Sequence, residues 1–123
     1  MKRYILFFVF ITALSCKSQN DGPTKVIDID TFKSEVIGKD VQLVDVRTLK
    51  EYNAGHIDDA INIDVLDNAT FTKEIQNLDK EKPIYIYCQM GGRSNSASQK
   101  LKDMGFKTIF DYSGGYGEWS KRN

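Results

Sequence analysis

Two hydrophobic periods alternate along this chain. The uninterrupted run Ile84-Tyr85-Ile86-Tyr87, opened by Pro83, is rich in β-branched and aromatic residues and too short for a helix. It predicts a strand buried on both faces of a parallel sheet. Beyond it, Ala97, Leu101 and Met104 recur at helical spacing and Gly105 supplies a stop, so a helix follows the strand directly. The same alternation runs through the rest of the chain. Lys25-Val26-Ile27, Val41 to Val46, Ile61 to Ile63 and Thr108-Ile109-Phe110 predict strands. Phe32 and Val36 share one face of a helix that Asp30 would cap and Gly38 would end, and Phe71, Ile75 and Leu78 share the face of another. Thr48 and Glu51 form a capping-box signature for a short helix between them, a backbone role for this acid. Strands alternating with helices predict an α/β architecture, a mainly parallel central sheet with helices on both faces.

The first residues follow neither period. Lys2 and Arg3 precede an apolar stretch from Tyr4 to Leu14, about half the length a membrane-spanning helix needs. With Ser15 before Cys16 this reads as a signal peptide over residues 1–15. Cysteine directly after Leu14-Ser15 also resembles a bacterial lipobox, which implies lipid on Cys16. Residues 16–24 are then a lipidated terminus and a polar tether containing Gly22-Pro23 with no fixed structure, and residues 25–123 are one folded domain. The expected location is the cell envelope, lipid-anchored and facing the periplasm or the cell surface. The alternative is a soluble exported protein whose Cys16 is incidental.

Composition narrows the partners. Seventeen Lys and Arg balance seventeen Asp and Glu with the signs interspersed, so nothing points to nucleic acid. The membrane would be touched only through lipid on Cys16, and a monomer is expected. His56 is the single histidine, so neither a metal cluster nor a Cys-His nucleophile pair follows from the sequence.

The candidate chemistry lies where the strand ending at Tyr87 meets the following helix, in Cys88-Gln89-Met90-Gly91-Gly92-Arg93-Ser94. Helix N-terminal amides lack intrahelical partners and carry partial positive charge, and two glycines allow successive amides to converge on an anion. Arg93 adds a permanent cation. A thiol in this setting ionises readily, and the thiolate is the nucleophile. A buried structural cysteine ahead of a tight turn is the alternative reading of this stretch alone.

The loop resembles that of the rhodanese-like sulfurtransferases, C-x-x-G-x-R, and the likeness continues in order on both sides. It takes in Asp45-Val46-Arg47, Glu51-Tyr52, Gly55-His56-Ile57, Ala60-Ile61-Asn62-Ile63, Gly114-Gly115 and Trp119. Met90 stands where such loops more often carry a small or polar residue. The resemblance implies Cys88 as catalytic nucleophile. It also implies Gln89, Met90, Gly91, Gly92, Arg93 and Ser94 as the cradle for a small anionic sulfur donor such as thiosulfate. A Cys88 persulfide would pass its outer sulfur to a thiol or cyanide acceptor, with no metal or organic cofactor. It further implies a structural role for the Gly-His-Ile element. Asp45 and Arg47 read as a buried ion pair bracing the sheet, and Tyr116 and Trp119 as core or pocket rim.

Two rival functions remain at this stage. A cysteine-dependent phosphatase would place five residues between cysteine and arginine, whereas four stand between Cys88 and Arg93, and no aspartate lies beside the loop as leaving-group acid. A non-catalytic rhodanese module for sulfur or redox sensing, or for protein binding, would not need both Cys88 and Arg93. A Cys16–Cys88 disulfide would lock the nucleophile, and lipid on Cys16 would prevent it.

Overall fold

A computed structural model describes residues 22–122. The expected signal peptide, Cys16 and most of the expected tether lie outside the described residues. Five strands form one sheet in the order β1-β5-β4-β2-β3, every neighbouring pair parallel. They are β1 (Thr24–Ile27), β2 (Gln42–Asp45), β3 (Ile61–Asn62), β4 (Ile84–Tyr87) and β5 (Ile109–Tyr112). Between and after them come α1 (Ile29–Val36), α2 (Leu49–Ala54), α3 (Asn68–Ile75), α4 (Gly92–Asp103) and α5 (Gly115–Arg122).

Alternation along the strands divides the core in two. Val44, Ile84, Ile86 and Ile109 face α3 and α4, packing with Phe71, Ile75, Ala97 and Leu101. Leu43, Tyr85, Tyr87 and Tyr112 face the other way, packing with Phe32 and Val36 of α1 and with Tyr116 and Trp119 of α5. A strand with cores on both faces must be apolar at every position, and all four residues of β4 are buried. The sheet is thus covered by helices on both faces, as the sequence predicts.

Several local details differ from the sequence reading. Asp28, not Asp30, caps α1: its side chain accepts from Thr31 N at 2.8 Å, because the buried Ile29 has to lie inside the helix. The sheet begins at Thr24, one residue before the expected start of the folded domain. Thr24 pairs with Ile109, and the Pro23 carbonyl accepts from Ile109 N at 2.8 Å. Proline lacks a donor but not an acceptor, and an edge strand tolerates it. Helix α3 stops at Ile75, and Leu78 packs on the core from the turn beyond. Residues Gly115 to Arg122, read only as anchoring aromatics, form α5. The capping box at Thr48 and Glu51 is present in both directions.

Candidate active site

Cys88 leaves the C-terminal end of β4, the middle strand of the sheet, and is only 1% exposed. The chain must then reverse direction into α4 within three residues. Gly91 makes this possible with φ +102°, a conformation that favours glycine, and a Cβ there would also press on the Ser113 carbonyl oxygen at 2.9 Å. The reversal turns the Gly91 amide back onto the sulfur, which it reaches at 3.0 Å. Ser94, fully buried in the first turn of α4, sets its Oγ 3.6 Å from Cys88 Sγ and donates to the Gly91 carbonyl at 3.2 Å.

Opposing influences act on the thiol. Burial, the largest single one, pushes its pKa up. Hydrogen bonds from the Ser94 amide and hydroxyl and from the Gly91 and Met90 amides outweigh it, so the thiol sits below its ordinary value. The loop therefore makes this buried thiol easier to ionise than a free one.

Three layers of support hold this loop, and the sequence exposed only part of them. The first is α5. Its Tyr116 and Gly117 amides donate to the Cys88 carbonyl at 2.8 Å and the Gln89 carbonyl at 3.0 Å, so one helix N-terminus grips the backbone that leads to the other. Gly115 makes the approach possible, since a Cβ there would run into the Cys88 carbonyl oxygen.

The second support is Arg47, 2% exposed at the end of β2. Its guanidinium holds Asp45 through Nε and NH2, the latter at 2.6 Å, and donates to the Gly55 carbonyl at 2.6 Å and to Gln89 Oε1 at 3.1 Å. The Tyr116 ring lies under it at 4.4 Å. The expected Asp45–Arg47 brace is thus present, and it extends into the loop by holding the Gln89 side chain. The third support is Glu51. Besides closing its capping box, it accepts both terminal nitrogens of Arg93, at 2.6 and 2.9 Å. This contact, more than any other, holds the Glu51 carboxyl down at about 2.

The remaining sequence candidates fall in place around this frame. Gly92 opens α4, and Met90 projects from the loop tip at 85% exposure. Beside Met90 an open depression of about 530 Å³ is lined by Gln89, Ser113, Gly114, Gly117 and Lys121 among others. His56 is exposed and stacks on Tyr52 at 3.9 Å, on the opposite side of the sheet from Cys88. Trp119 meets Phe32 edge-on at 5.7 Å. Among the described residues, no group of three or more His, Cys, Asp or Glu side chains is arranged to hold a metal ion.

The partners missed by sequence reasoning are Gly115 with the α5 amides, Glu51 toward Arg93, and Arg47 toward Gln89. Only a charge count at the loop, where Arg93 has no acid within helical reach, hints at a distant carboxylate.

Comparison with known proteins agrees with this arrangement. The family model described as the rhodanese-like domain matches residues 19–122. Thiosulfate sulfurtransferase GlpE of Shewanella oneidensis is 35% identical over 99 residues, covering 80% of this chain and 95% of the relative. The human single-domain sulfurtransferase TSTD1 superposes with a TM-score of 0.68 at 27% identity, covering 83% of this chain and 98% of that one. A rhodanese-like domain protein from Staphylococcus aureus superposes with the same score at 31% identity, over 77% and 90% of the two chains. With its parallel sheet, its cysteine loop and these relatives, the chain belongs to the rhodanese-like domain family.

Proposed function

We propose that this chain is a sulfurtransferase that moves sulfane sulfur from an anionic donor such as thiosulfate to a thiol or cyanide acceptor. The observation that carries this reading is the Cys88 sulfur held by the Gly91 amide at 3.0 Å, with its ionisation favoured despite burial. In the first half-reaction the Cys88 thiolate attacks the outer sulfur of thiosulfate. A bond forms between Cys88 Sγ and that sulfur, the sulfur–sulfur bond of the donor breaks, and sulfite leaves with the electron pair. In the second, the acceptor attacks the outer persulfide sulfur and Cys88 leaves as thiolate. On this reading the loop amides offset the anionic charge present throughout, and Arg93, held by Glu51, adds positive charge beside them. Similarity to the thiosulfate sulfurtransferase GlpE supports this donor class.

The test is turnover of thiosulfate with cyanide by the purified domain, with mass spectrometry of the thiosulfate-treated protein. Thiosulfate turnover, one added sulfur atom on Cys88 that cyanide removes, and no hydrolysis of p-nitrophenyl phosphate are expected. Unchanged sulfur transfer by Cys88→Ser would overturn the mechanism. Phosphatase activity without sulfur transfer would overturn the function.

The same proposal includes export and lipid attachment at Cys16, supported by the basic, apolar and small-residue order of residues 2–16. Intact mass of the protein from its native membrane should show acylated Cys16. An unmodified Cys16, or one joined to Cys88, would overturn it.

A further inference from the structure

Arg93 is the one cation between Cys88 and Ser94, and its fork is already occupied. Both terminal guanidinium nitrogens donate to Glu51, NH1 to Oε1 at 2.6 Å and NH2 to Oε2 at 2.9 Å. A guanidinium offers the same paired geometry to any oxyanion, so Glu51 holds the place that the oxygens of a sulfur donor would take. Glu51 is itself anchored, because its Oε1 accepts from Thr48 Oγ1 at 3.0 Å within the capping box of α2. Its position therefore does not depend on Arg93 alone.

The pair lies beside the nucleophile, at the same edge of the sheet. Arg93 stands in the chain between two residues that reach the sulfur: Gly91, whose amide is 3.0 Å from Cys88 Sγ, and Ser94, whose Oγ is 3.6 Å from it. The Arg93 side chain spans from the loop after β4 to α2, which follows the neighbouring strand β2. The two side chains are 27% and 32% exposed, so the pair faces the solvent from which a donor arrives. A second acid, Asp64 beyond β3, also acts on Arg93. One positive charge thus meets a carboxylate at contact and another nearby.

This balance decides what a second negative charge on a donor gains. Arg93 attracts it and Glu51 repels it in similar measure, so little offsets the water that the extra charge gives up. A monoanion needs only the amides and hydroxyl of the loop, which carry no formal charge. Removing Arg93 alone would leave the Glu51 carboxylate unbalanced in front of the donor.

We propose that Glu51 is a specificity-determining residue: by occupying Arg93 it turns the site toward monoanionic sulfane donors, organic persulfides and thiosulfonates, in preference to dianions such as thiosulfate. This rests on the sulfurtransferase reading and names its donor class. The step balances with either monoanion. The Cys88 thiolate attacks the terminal sulfur, a bond forms between Sγ and that sulfur, the sulfur–sulfur bond of the donor breaks, and a thiolate or sulfinate leaves with the electron pair.

The test compares kcat/KM for thiosulfate and for methanethiosulfonate, its monoanionic counterpart, with cyanide as the common acceptor. In a double displacement this constant reports the donor half-reaction alone. Glu51→Gln keeps a capping-box residue type and removes the charge. It should raise kcat/KM for thiosulfate about two- to fivefold more than for methanethiosulfonate, the effect of one unit charge removed at about 4 to 8 Å in water. Thr48→Ala removes the cap of α2 but keeps the Glu51 charge, and should leave the donor ratio as it is in the unaltered protein. A second measurement needs no sulfur transfer: the rate of Cys88 alkylation by anionic iodoacetate relative to neutral iodoacetamide. Glu51→Gln should raise this ratio by the same factor. An unmoved ratio in either measurement, or an equal shift in Thr48→Ala, overturns the proposal. No turnover of either donor by the unaltered protein, with the alkylation ratio shifting as expected, overturns the sulfurtransferase reading instead and leaves the charge effect of Glu51 standing.

Discussion

Replacing Gly115 by alanine tests whether α5 holds the reactive loop in place. The residue has φ +64°, where an L side chain costs about 1–2 kcal/mol. The added methyl would also meet backbone: the Cys88 carbonyl oxygen, and the Gln89 carbonyl oxygen at 2.7 Å. Backbone cannot swing aside as a side-chain tip can, so either α5 or the loop has to move. Moving either breaks the Tyr116 and Gly117 hydrogen bonds to those carbonyls, worth about 1 kcal/mol each. A loss of about 3–4 kcal/mol follows when strain and broken bonds are taken together, a large part of the about 5–15 kcal/mol that holds such a domain. If the loop yields instead, a displacement of about 1 Å should lower thiosulfate turnover about 100-fold. Urea unfolding and thiosulfate–cyanide kinetics measure the two outcomes together. Gly38→Ala is the control, because φ +73° imposes strain there while no atom lies within 4 Å of the new methyl. Gly115→Ala matching that control in both stability and turnover would refute the bracing role of α5.

Arg93→Ala should keep the fold and reduce kcat/KM for thiosulfate by about 10- to 100-fold, the range of a lost charge-assisted contact; unfolding at 25 °C in steady-state assays would mark Arg93 as structural instead. Glu51 should add stability that is full above its ordinary value of 4.5 and disappears as pH falls toward about 2, because folding lowers its pKa. With about a third of each partner exposed, the gap in urea stability from Glu51→Gln should be about 1 kcal/mol at pH 7. It should narrow between pH 5 and pH 3, and a pH-independent gap would count against the ion pair. Arg47→Lys should cost about 3 kcal/mol or more by thermal or urea unfolding, since one ammonium cannot replace a buried fork to Asp45, Gly55 and Gln89. A loss below about 0.5 kcal/mol, the range of ordinary surface changes, would contradict the brace.

Legibility in the sequence followed the locality of the forces. Strand β4 and the start of α4 were readable because a continuous apolar run, a glycine pair and an i, i+4, i+7 face all fall within about twenty residues. The α2 capping box was readable for the same reason. Helix α5 was hidden because Gly114-Gly115-Tyr116-Gly117 has little helix propensity, and its first turn is fixed by carbonyls of residues 88 and 89. The choice between Asp28 and Asp30 turned on whether Ile29 is buried, which only the packed core decides. Glu51 likewise satisfied its local signature and kept its second partner, forty-two residues away, out of view.

An all-parallel sheet also has a direction. Every strand starts at one edge and ends at the other, so Thr24 begins β1 on the edge opposite to the one where β4 releases Cys88. Four residues of strand separate those edges by about 13 Å, before the loops at either end are added. The proposed lipid on Cys16 would therefore be joined to the domain at the sheet edge opposite the Cys88 loop. The loop that carries Cys88, with Met90 exposed at its tip, lies at the other edge, so the proposed attachment and the proposed chemistry would sit at opposite ends of the strands.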